Sequence, residues 1–257
     1  MPLPWLVNQW GCNPWQTEPD RRAAADTETL SVLPPLTEEQ VRANQEPEEP
    51  AGFWSISPAE WAETLRKDWP EKGPVIPEAD QIQESDQTTV LEWVNKSRAA
   101  DKQKTNLQCF DYAHYQVSAA GYGVSGPGHK SPTTITIFVE HVENGVVREE
   151  VLEEEVVTAV SYLKESLQAG IPVLIGVRLK LFDSRPNDYK ATDYREATNH
   201  FVVAVGMGTD DEGSYFSYYD YMHGFRDDDR LYLRDDLTLT TAGGYRTLTE
   251  VRRSTKY

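Results

Sequence analysis

Between Pro172 and Tyr221 the chain carries two nearly continuous apolar runs, PVLIGVRL and HFVVAVGM, and an aromatic one, SYFSYYDY. The polar segment GTDDEG joins the last two. Unbroken Val, Ile and Phe over such a length reads as buried strand. A Gly- and Asp-rich turn between two such runs reads as a hairpin, with strands from His200 to Met207 and onward from Ser214. Pairing Met207 with Ser214 across the turn sets His200 opposite Tyr221. Asp220 then falls within one position of His200.

Other segments supply partners for that hairpin. In TTITIFVEHV, Ile135, Ile137 and Val139 alternate with Thr134, Thr136 and Phe138, the period of a strand. RLYLRD and YRTLTEVRR near the C-terminus read the same way. Helices are expected over Pro58–Trp69, with Ser57 as cap and Pro58 at the first position, and over Gln87–Ala100, capped by Asp86. A third spans Asn106–Ala120, with Phe110, Ala113, Val117 and Ala120 on one face and Gly121 as its stop. A fourth covers Val156–Gln168 and ends at Gly170. With helices first and strands later, the expected fold is α+β with a mostly antiparallel sheet.

Residues 1–85 differ in composition from the rest. They hold sixteen acidic and six basic residues, many prolines, and six of the seven tryptophans. Proline and charge resist regular structure, whereas the tryptophans need a surface to pack on. The expected organisation is an acidic, Pro/Trp-rich arm over 1–85 and a main domain over 86–257. A net charge of −17 argues against nucleic-acid binding, which needs clustered Lys and Arg. No apolar run reaches the roughly 18 residues that span a bilayer. The opening MPLPWLVNQW lacks the charged and apolar regions of a secretory signal. The expectation is cytoplasmic synthesis, compatible with export by a leaderless system.

Two cysteines, Cys12 and Cys109, exclude a disulfide scaffold, and no CxxC pair offers a zinc site. A single Cys12–Cys109 bridge is formally open. Cys12 lies in the arm, without a helix or a nearby histidine. Cys109 opens a helix, where the partial positive charge of the N-terminus favours a thiolate. His200 opens an apolar strand at the edge of a polar loop, a position expected to orient a base rigidly and still let it reach solvent. Asp220, on the hairpin partner, can accept from an imidazole N–H and fix its tautomer. Each residue alone has an ordinary structural explanation; the three together read as nucleophile, base and orienting acid.

A cysteine opening a helix, a histidine opening a strand and an acid on the next strand, in that chain order, resembles the papain-like cysteine peptidase superfamily. The segments QAGIPVLIGVRL and NHFVVAVGMGTDDEGSYFSYYDY are similar to its bacterial branches, including bacteriocin-processing peptidases. The resemblance covers roughly residues 100–222. It implies a papain-like fold and a Cys109–His200–Asp220 triad. It also implies an oxyanion hole from Gln103, six residues before the cysteine, and the Cys109 backbone N–H, with Gln108 as a rival for Gln103. Phe110 stands where that family has Trp, and no Gly-rich sequence precedes the cysteine. The expected activity is a cysteine hydrolase (peptidase or amidase), without cofactor or metal, acting on protein or cell-wall peptide. A bacterial effector role, with an immunity or inhibitor protein as partner, follows by analogy. Transglutaminase-like acyl transfer by the same triad and an inactive binding module are the alternatives.

Four further features receive modest roles. His114, one turn beyond Cys109, is expected to pack or face solvent, and His129 to lie in a loop. His223 is a candidate for lining the cleft. The run RDDD at 226–229 lacks the ligand spacing of a calcium loop and reads as a solvated turn.

Overall fold

The structure, a computed structural model, describes residues 56–75, 82–124, 133–143, 146–179, 195–224 and 226–257. Cys12, His129 and nearly all of the expected arm before Pro58 lie outside these residues. Among the described residues no helix is long and apolar enough to cross a membrane.

The architecture corrects the expected papain-like α+β order of helices followed by a sheet. The protein is mostly β, built on an eight-stranded sheet in which six antiparallel strands close into a barrel. The ring is formed by β6 (Val173–Leu179), β8 (His200–Asp210), β9 (Gly213–Tyr219), β10 (Arg230–Leu233), β11 (Leu239–Thr240) and β12 (Arg246–Arg252). Neighbours around it run β8–β6–β12–β11–β10–β9, and β9 returns to β8. Two more strands pair with the overhanging halves of ring strands. β1 (Lys72–Val75) pairs with the far half of β8, and β3 (Thr134–Thr136) with the far half of β12. The physical reason for the correction lies at the C-terminus. RLYLRD and YRTLTEVRR do not extend an open sheet; β10 and β12 carry the sheet round until it meets itself, which removes its free edges. Among the described residues β1 also precedes three of the four α-helices.

Outside the barrel, β4 (Phe138–Glu143) pairs with β5 (Val146–Val151) and β7 (Arg195–Glu196) in a small sheet. β2 (Tyr122–Gly123) pairs with β13 (Thr255–Lys256). The four α-helices among the described residues are α1 (Pro58–Arg66), α2 (Gln87–Asn95), α3 (Cys109–Ala119) and α4 (Glu153–Gln168). α3 and α4 end where glycine permits a left-handed backbone: Gly121 has φ +90° and Gly170 φ +73°.

The apolar run of β8 is explained by burial on both faces. Val202 and Ala204 join the large core with Val173, Ile175 and Val177 of β6, Phe216 and Tyr218 of β9, and the apolar face of α4. Phe201, Val203 and Val205 face the other way and pack with Leu174 under Phe110, Ala113 and Val117 of α3. Fully burying one such side chain stabilises by about 1.5–3 kcal/mol, so both faces of β8 are strongly specified. Residues 58–75 belong to the same body: Ala62 and Leu65 are in the large core, and Trp61 and Trp69 pack against it.

The hairpin register differs from the sequence expectation. Met207 pairs with Phe216, not Ser214, because the turn is tight and Asp210 pairs with Gly213, which has φ +120°. A bulge between Ala204 and Gly206 then shifts the ladder by one, so that Val203 faces Tyr219.

Candidate active site

Asp220 follows β9 directly and is fully buried. Its Oδ2 lies 3.0 Å from His200 Nε2, and its Oδ1 accepts the Met222 backbone N–H at 3.0 Å. Burial alone would favour the neutral acid. The hydrogen bond and charge of His200, the charge of Arg246 and the Met222 N–H outweigh it and hold Asp220 well below the usual carboxylate range. An ionised carboxylate only accepts, so the shared proton belongs on His200 Nε2. That assignment leaves Nδ1 as the nitrogen able to take a proton.

His200, the first residue of β8, pairs across the sheet with Val177 and is buried. It belongs to a polar cluster at one end of the barrel lining. Arg246 of β12 donates to Asp220 Oδ2 at 2.8 Å and to the Tyr218 hydroxyl at 2.7 Å. Arg246 Nη2 also lies 3.2 Å from His223 Nε2, and His223 Nδ1 donates to the Gly224 carbonyl at 3.0 Å. Asp229 completes the cluster, 3.6 Å from His223 and 3.8 Å from Arg246. Burial pushes the Asp229 carboxyl up, against the pull of His223, Arg246 and the Tyr218 hydroxyl. Its Oδ2 is buried without a hydrogen bond. The RDDD run is thus split, with Asp227 and Asp228 exposed and Asp229 inside.

Cys109 is the first residue of α3, is buried, and forms no disulfide among the described residues. The turn before it is held by side chains. Asp111 accepts the Gln108 backbone N–H at 2.9 Å, as in a capping box, and both its oxygens receive the Lys104 ammonium at 2.7 Å. Asn95 pairs with both backbone groups of Lys104, at 2.7 and 2.9 Å. The first turn of α3 packs at the beginning of β8. The Phe110 ring meets Phe201 edge-on at 5.1 Å, and Tyr112 stacks on Tyr221 at 4.2 Å. The Tyr221 ring centroid lies 6.0 Å from that of His200.

The structure therefore joins His200 and Asp220 directly. It packs Cys109 in one cluster with Phe201 and Tyr219, the residues adjacent to them in the chain. Alternation along β8 puts His200 on the Val202 face and Phe201 on the α3 face. Gln103 is exposed, on extended backbone after a short 3₁₀ turn, and no described contact joins it to Cys109, His200 or Asp220. Gln108 is exposed and serves as the cap position of α3. His114 packs edge-on against Trp93 and Phe110, where burial lowers its pKa against the pull of Asp111.

Sequence reasoning missed Arg246, Tyr218 and Asp229. The available signal was a charged side chain on a strand otherwise committed to burial. Asn95 and Lys104 were missed because their link is between side chain and backbone. Among the described residues no cluster of three or more His, Cys, Asp or Glu is arranged to hold a metal. No family model matches the chain, and no curated protein or solved structure matches it.

Proposed function

We propose that this protein is a cysteine hydrolase that cleaves amide bonds in a protein or in the peptide of bacterial cell wall. Cys109 is the nucleophile, His200 the base and Asp220 the orienting acid. The observation that carries this reading is the buried His200–Asp220 pair beginning β8, with the Cys109 helix packed on its neighbours Phe201 and Tyr221. His200 Nδ1 takes the thiol proton, and the thiolate adds to the carbonyl carbon. The C–N bond breaks as the proton passes to the leaving amine. Water, deprotonated by the same imidazole, then releases the acid from the thioester. The Cys109 backbone N–H and the Gln103 amide are the proposed oxyanion donors.

Mass spectrometry of proteins and cell-wall fragments after incubation with wild-type and Cys109→Ala protein tests the reading. New termini formed by the wild type alone support it; identical spectra oppose it.

One observation favours a second reading. His200, Asp220, Arg246, Tyr218 and His223 are mutually bonded at the barrel end, which suits a structural plug in a binding module. In that reading Cys109 is an ordinary buried thiol, alkylated no faster at pH 6 than an unperturbed cysteine.

A further inference from the structure

Asp220 Oδ2 serves two donors at once, His200 Nε2 at 3.0 Å and Arg246 Nη2 at 2.8 Å. Its other oxygen is taken by the Met222 N–H. The carboxylate therefore cannot turn without breaking bonds at both oxygens. Arg246 is itself fixed, through Nη1, on the Tyr218 hydroxyl at 2.7 Å. Its strand β12 does not neighbour β9; β10 and β11 lie between them on one side of the ring. The guanidinium thus ties Asp220 to a distant strand.

The geometry points to Arg246 as a positioning residue for the His200–Asp220 pair: it locks the carboxylate on the imidazole and sets the pH at which His200 takes up a proton. The inference deepens the hydrolase reading and takes its meaning from it, but the group it acts on is His200. A carboxylate facing an imidazole alone favours the imidazolium. A guanidinium on the same oxygen offsets that negative charge and opposes a second positive charge beside it. His200 then remains an unprotonated base at a lower pH than an unshared Asp–His pair would allow.

The groups around His200 are consistent with this. Val177 lies opposite on β6, and the Tyr221 ring on its flank. Asp220 makes the direct contact, and Tyr218, His223 and Asp229 lie beyond it around Arg246. On the α3 side stand Cys109 and Phe110, with Arg252 over the Phe110 and Phe201 rings and paired with Glu250. Arg252 faces the α3 side of β12, whereas Arg246 is the guanidinium bonded to the His200 partner.

The test is NMR titration of the His200 imidazole in the full-length protein. Arg246→Gln is expected to raise the His200 midpoint by about one unit, a tenfold change in proton affinity. Arg246→Lys, which keeps the charge, is expected to stay within a few tenths of a unit of wild type. Tyr218→Phe removes an anchor without changing charge and is expected to behave like Arg246→Lys. An unshifted midpoint in Arg246→Gln, or equal shifts in Arg246→Gln and Arg246→Lys, would overturn the inference. Should Arg246→Gln not fold, a shift of a full unit in Arg246→Lys or Tyr218→Phe overturns it, and wild-type midpoints in both support it. Iodoacetamide labelling of Cys109 across pH separates the two proposals. Ordinary thiol kinetics at Cys109 beside a shifted His200 midpoint would sink the hydrolase reading and leave Arg246 in its role. Fast low-pH labelling with no shift would do the reverse.

Discussion

Tyr112 and Tyr221 lie ring on ring, 4.2 Å apart and 7° from parallel. This stack joins the Cys109 helix to the end of the hairpin that carries His200 and Asp220. A stacked aromatic pair contributes about 0.5–1.5 kcal/mol beyond its burial. Tyr112→Leu is expected to destabilise by about 2 kcal/mol and to loosen α3 from the hairpin. A double-mutant cycle with Tyr221→Leu in urea should return a coupling near 1 kcal/mol. Additive effects would show that the two rings are neighbours without being a joint.

The nucleophile assignment predicts a separation of fold from activity. Cys109→Ala should abolish turnover and keep the melting temperature within a few degrees, since one small buried side chain replaces another. At pH 6 iodoacetamide should label wild-type Cys109 faster than Cys109 in His200→Ala, because the base is what generates thiolate there. Equal rates in the two proteins would remove His200 from that role.

Asp220 predicts a pH-dependent stability. Its folded carboxyl titrates well below the unfolded value. Its stabilisation is therefore complete above about pH 4 and is lost as pH falls through the depressed folded value. Asp220→Asn should cost about 3 kcal/mol at pH 7, since Arg246 loses a buried charged partner, and progressively less towards pH 2. Turnover should fall less in Asp220→Asn than in His200→Ala, because a poorly oriented base still acts. Asp229 predicts the opposite slope. Its carboxyl is pushed up, so its contribution is present below the unfolded value and is lost as pH rises through the folded one. Asp229→Asn should be better tolerated at pH 7 than at pH 3. Chemical denaturation at the two pH values reads both signs.

The lysine clamp predicts an asymmetry. Asp111 is buried and holds both the Gln108 N–H and the Lys104 ammonium, whereas Lys104 is partly exposed. Asp111→Ala should cost about 1–2 kcal/mol, the value of a helix cap with a charged hydrogen bond. Lys104→Met should cost less, because Asn95 still holds the Lys104 backbone. Urea melts of the two variants should rank them in that order.

Much of the local structure was legible because burial and backbone chemistry act over short range. The apolar run from His200 specified a strand, and Gly121 and Gly170 marked helix ends. The His200–Asp220 contact survives although the expected register was off by two at Met207: the bulge between Ala204 and Gly206 takes back one position and the end of β9 supplies the rest. Closure of the barrel was not legible. It depends on which strand β12 meets, a pairing between residues far apart in the chain, and YRTLTEVRR looks the same in an open sheet. Arg246 was hidden for the same reason, since its partners lie on β9 and just beyond it.

The N-terminal third gives the last prediction. α1 begins at Pro58, and its Ala62 and Leu65 are in the large core; Trp61 and Trp69 pack on that core. Trp69 meets Phe216 of the barrel at 4.8 Å, and the Lys164 ammonium of α4 sits 5.3 Å from its ring. β1 then adds a strand to the far half of β8. Removing residues 1–50 stops short of all these contacts and should leave a soluble domain. Removing residues 1–85 strips α1 and β1, uncovers apolar faces of α4 and β9, and frees an edge of β8 for pairing with another chain. The longer truncation should aggregate, and the shorter should melt cooperatively near the full-length temperature. Light scattering and thermal melts on the two proteins decide it. A soluble and more active product of the longer deletion would show instead that this segment restrains the site.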